Sequence, residues 1–239
     1  MVSFSSMLIA QEIPTLYAGF DVPIAEFDCG KKCAPYNGGV PYCCDTCHAV
    51  PAAYPAEWGY LQANTTLWHS WEPVESNGKD QLQREAGDLI LIECLGHQHC
   101  QRDFRSFVCR AFPFFPYMDS RGEFLGLSYY WDYQDRCWVI SNLQIVRHEY
   151  RTQFIQTYKR LFTLLPEERE AFQYHSAEMR RVFQARRRTI PLLHRDGHTY
   201  KISPTTEKMH RVAPESFPKY GPYKLADILL FPDEEFVHS

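Results

Sequence analysis

The sequence has no long hydrophobic run, no excess of positive charge, no internal repeat and no low-complexity tract. Its best apolar stretch, DLILIECLG from Asp88, is strand length and falls well short of the roughly 20 residues a membrane-spanning helix needs, so no membrane partner is expected. The opening MVSFSSMLIAQEIPTLYAGF lacks a basic start, its apolar run is broken by Gln11 and Glu12, and no small-residue cleavage site follows. It does not read as a secretory signal. A net charge of −4 and a pI near 6.2 supply no field for a polyanion, so no nucleic-acid partner is expected either. A glycine-rich strand-to-helix turn that could cradle a nucleotide is also missing, because Gly38-Gly39 lies between cysteines. Together these absences place the chain in a reducing cytoplasm, where cysteines persist as thiols.

What the sequence does have is cysteine. With 239 residues, 45% of them hydrophobic and 15% aromatic, the chain can bury a sizeable core, so its nine cysteines are not needed as staples. Five of the nine fall in CGKKCAPYNGGVPYCCDTCHAVP, as Cys29, Cys33, Cys43, Cys44 and Cys47. A second group follows as Cys94, Cys100 and Cys109, with Cys137 further on. Thiolate is a soft ligand that selects zinc, copper(I) or iron–sulfur clusters, and four thiolates complete a zinc site or hold a four-iron cluster. Clustering in loops rich in glycine and proline favours ligands over buried small hydrophobes. Nine thiols suffice for two sites, or for one site and structural thiols. In an extended segment Cys43 and Cys44 point to opposite faces, so they share a metal only if a turn redirects them.

The order Cys-x3-Cys, Cys-Cys, Cys-x5-Cys-x8-Cys-Arg-x-Phe-Pro-Phe and a late cysteine resembles the YkgJ-type cysteine-cluster family, described as a zinc- or iron-chelating domain. The resemblance covers about Cys29 to Cys137, and its most specific element is Cys109, Arg110, Phe112 and Pro113. It implies Cys29, Cys33, Cys43, Cys44, Cys94, Cys100, Cys109 and Cys137 as metal ligands. Cys47 is additional to the family pattern, and Arg105-Ser106-Phe107 stands where the family has Arg-Pro. A related branch joins a similar cluster to methyl transfer from S-adenosylmethionine.

Beside these ligands, Arg110 is expected to bind the cofactor, since a guanidinium near anionic sulfurs stabilises thiolates and raises a cluster's potential. His48, His97 and His99 adjoin cysteines as further candidates, and Asp45 and Asp135 could orient ligands or simply form turns. The expected function is a cysteine-ligated metalloprotein carrying an iron–sulfur cluster, with the four-iron, four-sulfur form favoured. Its redox or electron-transfer chemistry would act on a peptide or protein partner. The alternatives are a structural zinc interaction module and a cluster-dependent S-adenosylmethionine methyltransferase.

The expected fold is α+β. A loop-rich cysteine-cluster core with a few short strands comes first, then a helical pair, then an irregular C-terminal lobe. Residues 1–28 read as a strand or loop packing Leu16, Tyr17 and Phe20 on the core. PAEWGYL reads as a helix start, while DLILIE, FLGLSYYWDY and CWVI read as β structure. Tyr150, Phe154, Tyr158, Leu161, Phe162 and Leu165 recur at helical spacing, and Phe172, Met179, Val182 and Phe183 repeat the pattern after Pro166. Arg180, Arg181, Arg186, Arg187 and Arg188 read as cations at the end of that second helix. IPLLHRDGHTYKIS reads as a hairpin turning at Arg195 to Gly197, and KLADILLF as a docking segment. A division into residues 1–188 and 189–239 follows.

Overall fold

The computed structural model describes residues 4–72, 82–84 and 86–224. The architecture is mixed α+β. Helix α1 spans Phe4–Ala18, where the sequence suggested a strand or loop. The expected core contacts are present nonetheless: Leu16, Tyr17 and Phe20 are buried together with Ile13. Their spacing of three, four and seven residues from Ile13 puts them along one helical stripe and its exit.

Next come α2 (Gly30–Cys33), β1 (Ala52–Ala53), α3 (Pro55–Asn64), β2 (Trp68–Ser70) and β3 (Ile90–Cys94). The three strands form a small antiparallel sheet in the order β1-β3-β2, and Trp68 pairs with Cys94 at its end. Helix α4 (Phe107–Ala111) leads into β4 (Phe114–Met118), which pairs with β5 (Phe124–Tyr129). Strand β4 has no counterpart among the sequence expectations, because its Pro116 argues against a central strand. It lies at the edge of its sheet, where the missing N–H costs no ladder bond. CWVI is not a strand: Trp138–Ser141 forms a 3-10 turn that buries Val139 and Ile140.

Helices α5 (His148–Leu164) and α6 (Pro166–Ala185) match the two periodic segments. Tyr150, Phe154, Tyr158, Leu161, Met179 and Phe183 are all buried. Burying each such side chain contributes about 1.5–3 kcal/mol. Helix α6 covers β4 and β5, where Ser176 Oγ accepts the Met118 amide at 3.0 Å and the Ser128 hydroxyl meets Met179 Sδ at 3.4 Å. Two of the terminal arginines are not on a solvated face. Arg180 donates to the Met118 carbonyl at 2.6 Å and pairs with Glu207 at 3.3 Å, and Arg188 donates to Gln134 at 3.2 Å and to the Tyr220 hydroxyl.

Strands β6 (Ile190–His194) and β7 (Thr199–Ile202) form the expected hairpin, and β8 (Met209–Arg211) extends it. The five-stranded sheet runs β4-β5-β6-β7-β8, so β5–β6 pairing carries one sheet across residue 188. Gly126 allows that pairing, since a Cβ there would lie 2.2 Å from the Leu193 carbonyl oxygen. Beyond Lys224, KLADILLF lies outside the described residues. No helix among the described residues is long and apolar enough to cross a membrane.

One buried carboxyl ties the first helices to α4. Glu57 is fully buried and accepts the Tyr17 hydroxyl at 2.7 Å, the Phe107 amide at 2.7 Å and the Tyr54 amide at 3.3 Å. Burial pushes its carboxyl up to about 7 from an ordinary 4.5, against the three hydrogen bonds and the charge of Arg110. A carboxyl that holds its proton more tightly when folded stabilises the fold below its unfolded value. That contribution is lost as pH rises through the folded value. Glu57→Gln is therefore expected to gain about 3 kcal/mol on wild type between about pH 4.5 and 7.5. Urea unfolding across that range measures the difference, and parallel profiles for the two proteins would contradict it.

Candidate metal centre

All nine cysteines are free thiols. The first loop winds tightly. Asp28 Oδ1 accepts the Gly30 amide at 3.1 Å, α2 delivers Cys33, a 3-10 turn over Ala34–Tyr36 follows, and a second over Tyr42–Cys44 carries the adjacent pair. A 3-10 helix has three residues per turn, so neighbouring side chains diverge by about 120°. Their sulfurs are 3.9 Å apart, and of the two only Cys43 lines the inner cavity.

Cys43 looks inward. With Cys29, Cys33 and Cys137 it lines a small cavity of about 30 Å³ closed by Tyr42, Phe112, Pro113 and Trp138. Cys137 reaches it because its amide is held by the Tyr133 carbonyl at 2.8 Å, while the Tyr133 hydroxyl donates to the His48 carbonyl at 2.6 Å and pins the first loop. From the C-terminal side, Tyr223 donates to the Arg136 carbonyl at 2.7 Å. Gly221 permits that approach: its φ is +52°, and a Cβ would lie 2.5 Å from the Asp135 carbonyl oxygen.

Cys44 looks toward the second group. Cys94 ends β3, Gly96 turns the chain with φ +99°, and Cys100 follows a 3-10 turn over His97–His99. Cys109 sits in α4, whose Ser106 cap accepts the Cys109 amide at 3.3 Å. Cys44, Cys94, Cys100 and Cys109 lie close enough to influence one another's charge. So does Arg105, whose Nε donates to Cys100 Sγ at 3.0 Å and whose charge also acts on Cys44 and Cys109.

Arg105, not Arg110, is thus the guanidinium beside the sulfurs. Arg110 turns the other way and donates to the carbonyls of Arg105 at 2.8 Å, Tyr17 at 3.0 Å, Asp103 at 2.6 Å and Phe20, with its guanidinium 4.2 Å from the Tyr17 ring centroid. Those backbone acceptors come from an interhelical approach that the motif does not encode. The signal for Arg105 was its place in Arg105-Ser106-Phe107, where the resembled pattern has Arg-Pro.

The electrostatics differ between the two sets. Burial, then the nearby Cys33 and Asp28, pushes the Cys29 thiol up to about 11. The hydrogen bond to Cys44, then burial, raises Cys43 well above the usual thiol range, and burial followed by Cys29 raises Cys137. In the second set burial lifts Cys94, and it lifts Cys109 to about 12 against the Ser106 hydroxyl. Cys44 alone among the shifted thiols is lowered, by the hydrogen bond it shares with Cys43 and by the charge of Arg105, against burial. Burial works against the charge of Arg105, yet Cys100, Cys109 and Cys44 hold it above the ordinary arginine range.

The remaining candidates lie apart from the thiols. Cys47 is exposed, with Asp45 and Glu93 as its neighbours. Asp45 and His48 tie the loop instead: Asp45 accepts Asn37 Nδ2 at 3.0 Å and the Cys47 amide at 3.0 Å, and His48 Nε2 meets Asn37 Oδ1 at 3.2 Å. His99 and Asp135 are exposed, and His97 is half-buried in its turn. Among the described residues no three His, Cys, Asp or Glu side chains are drawn together closely enough to hold a metal ion as they stand. The donor chemistry of each set, four soft thiols, does fit zinc or a four-iron cluster, provided the sulfurs move inward.

No family model, curated protein or solved structure matches the chain.

In the metal-free chain, alkylation of Cys44 should reach half its maximal rate at a lower pH than alkylation of Cys29, Cys43, Cys109 or Cys137. Peptide mass spectrometry after iodoacetamide pulses locates each product. Arg105→Gln should raise the Cys44 midpoint; a midpoint no lower than that of Cys43 would contradict the arrangement.

Proposed function

We propose that the chain is a cysteine-ligated metalloprotein with two four-thiol sites, one formed by Cys29, Cys33, Cys43 and Cys137 and the other by Cys44, Cys94, Cys100 and Cys109. The carrying observation is the 3-10 turn from which Cys43 enters the cavity lined by Cys29, Cys33 and Cys137 while Cys44 acts on the charge of Cys94 and Cys109. The resemblance to the YkgJ-type family points to the same eight residues. Sets of four thiolates hold iron–sulfur clusters or zinc, and iron–sulfur clusters are the proposed occupants.

A four-iron cluster supplies one-electron chemistry when bound; the chain supplies the setting. Cys33 and Cys137 of the inner set are buried, and Cys29 and Cys43 are half-buried. Arg105 places a cation beside the outer set, where positive charge favours the reduced form of an anionic centre. The outer set also reaches the surface, flanked by exposed Leu95 and Val108, and suits electron exchange with a protein or peptide partner. A second reading is structural zinc. Its support is the inner cavity, whose volume of about 30 Å³ suits a single ion better than a four-iron cube.

Anaerobic purification and reconstitution with iron and sulfide should give a brown protein with about eight iron and eight acid-labile sulfide per chain. Cys43→Ser and Cys44→Ser should each keep about half of that content, and Cys47→Ser all of it. Two equivalents of zinc in a colourless protein would establish the second reading. Stoichiometric loading by neither metal would overturn both.

A further inference from the structure

Away from the thiols lies a buried cation without a counter-charge among the described residues. Arg151, in the first turns of α5, is only 8% exposed, yet its Nε is fully buried and has no hydrogen-bond partner among the described residues. Among the same residues its guanidinium makes no ion pair, and burial alone acts on its charge. Arginine stays ionised in proteins, so among the described residues this charge is uncompensated. Such a group is costly unless something anionic meets it.

The same residue borders a pocket of about 530 Å³. Arg151 lines it together with Gly197, His198 and Thr199 of the β6–β7 turn and Arg211 at the end of β8. Among the described residues no carboxylate lines it. The acid of the turn, Asp196, is already engaged by His194 Nδ1 at 2.9 Å and the Tyr200 hydroxyl at 2.7 Å. Two guanidinium groups and an imidazole thus converge on a volume in the range of small-ligand sites. Guanidinium forks match the paired oxygens of a phosphoryl group, and two of them match its double charge.

We infer that this pocket binds the phosphoryl group of a small ligand, with Arg151 as the buried anchor and Arg211 and His198 at the mouth. The site is independent of any metal at the thiols. Its closest physical requirement is that the anion neutralise Arg151, which makes phosphate binding stabilise the fold.

The test uses the full chain and inorganic phosphate at constant ionic strength, with sodium chloride as reference and succinate as a dicarboxylate arm. Phosphate should raise the melting temperature of wild type and bind with a Kd in the low millimolar range or tighter by calorimetry. Arg151→Met should melt higher than wild type in chloride, because the unpaired charge is gone, and should lose phosphate affinity at least tenfold. Arg211→Gln, at an exposed position, should fold as wild type does and weaken phosphate binding several-fold. A wild-type melting temperature equal in phosphate and chloride would overturn the proposal. So would equal phosphate affinity in all three proteins, or succinate binding more tightly than phosphate.

Discussion

Two buried ionisable side chains that face backbone hold the cysteine-bearing segments in place. Glu57 gathers the Tyr17 hydroxyl and the amides of Tyr54 and Phe107, and Arg110 gathers the carbonyls of Tyr17, Phe20, Asp103 and Arg105. Between them they lock α1, α3 and the segment from Asp103 to α4. The bonds from the Arg110 guanidinium to backbone carbonyls are charge-assisted, and leaving any of these buried polar groups unpaired is costly. Cys100, Arg105 and Cys109 are set by this lock, since Arg105 extends from the backbone whose carbonyl Arg110 holds. The motif arginine acts on the thiols through the chain it fixes, with no contact to sulfur.

The first loop obeys a different constraint. It has few buried apolar anchors, and it is held by short-range polar ties among Asn37, Asp45 and His48 and by the Tyr133 hydroxyl. Small turns of this kind allow adjacent cysteines to diverge, which a strand would do more coarsely and an α-helix less usefully. The inner thiols are raised by burial and the outer Cys44 is lowered by Cys43 and Arg105. Any metal entering the inner set must therefore displace protons from reluctant thiols, while the outer set already holds one thiol disposed to ionise.

Helix α5 serves the thiol region and the cationic pocket through successive residues. The Tyr150 hydroxyl donates to the carbonyls of Arg110 and Ala111 at 3.0 Å each, and Arg151 lines the cationic pocket. Helical geometry places such neighbours about 100° apart, so one helix serves the back of the cysteine-bearing segment with one residue and a separate cavity with the next. The periodicity of Tyr150, Phe154, Tyr158 and Leu161 announced this helix plainly. It said nothing of Arg151, whose significance depends on the absence of a carboxylate among the described residues around it.

By itself the sequence determined the α+β class, both long helices, the β6–β7 hairpin and the interest of the clustered cysteines, because periodicity, Pro166 and Asp196-Gly197 act locally. Local signals also misled where packing overrode them. The aromatic and β-branched CWVI became a buried turn beneath a cavity, and the edge strand through Pro116 was not among the expected elements. Which thiols group together, and which arginine faces them, was decided only by tertiary structure. Cys137 and Cys29 are more than a hundred positions apart, and their meeting depends on Tyr133, Tyr223 and Gly221 closing one loop on another. The facing of Arg105 and Arg110 likewise follows from a helix contact, which no spacing of cysteines records.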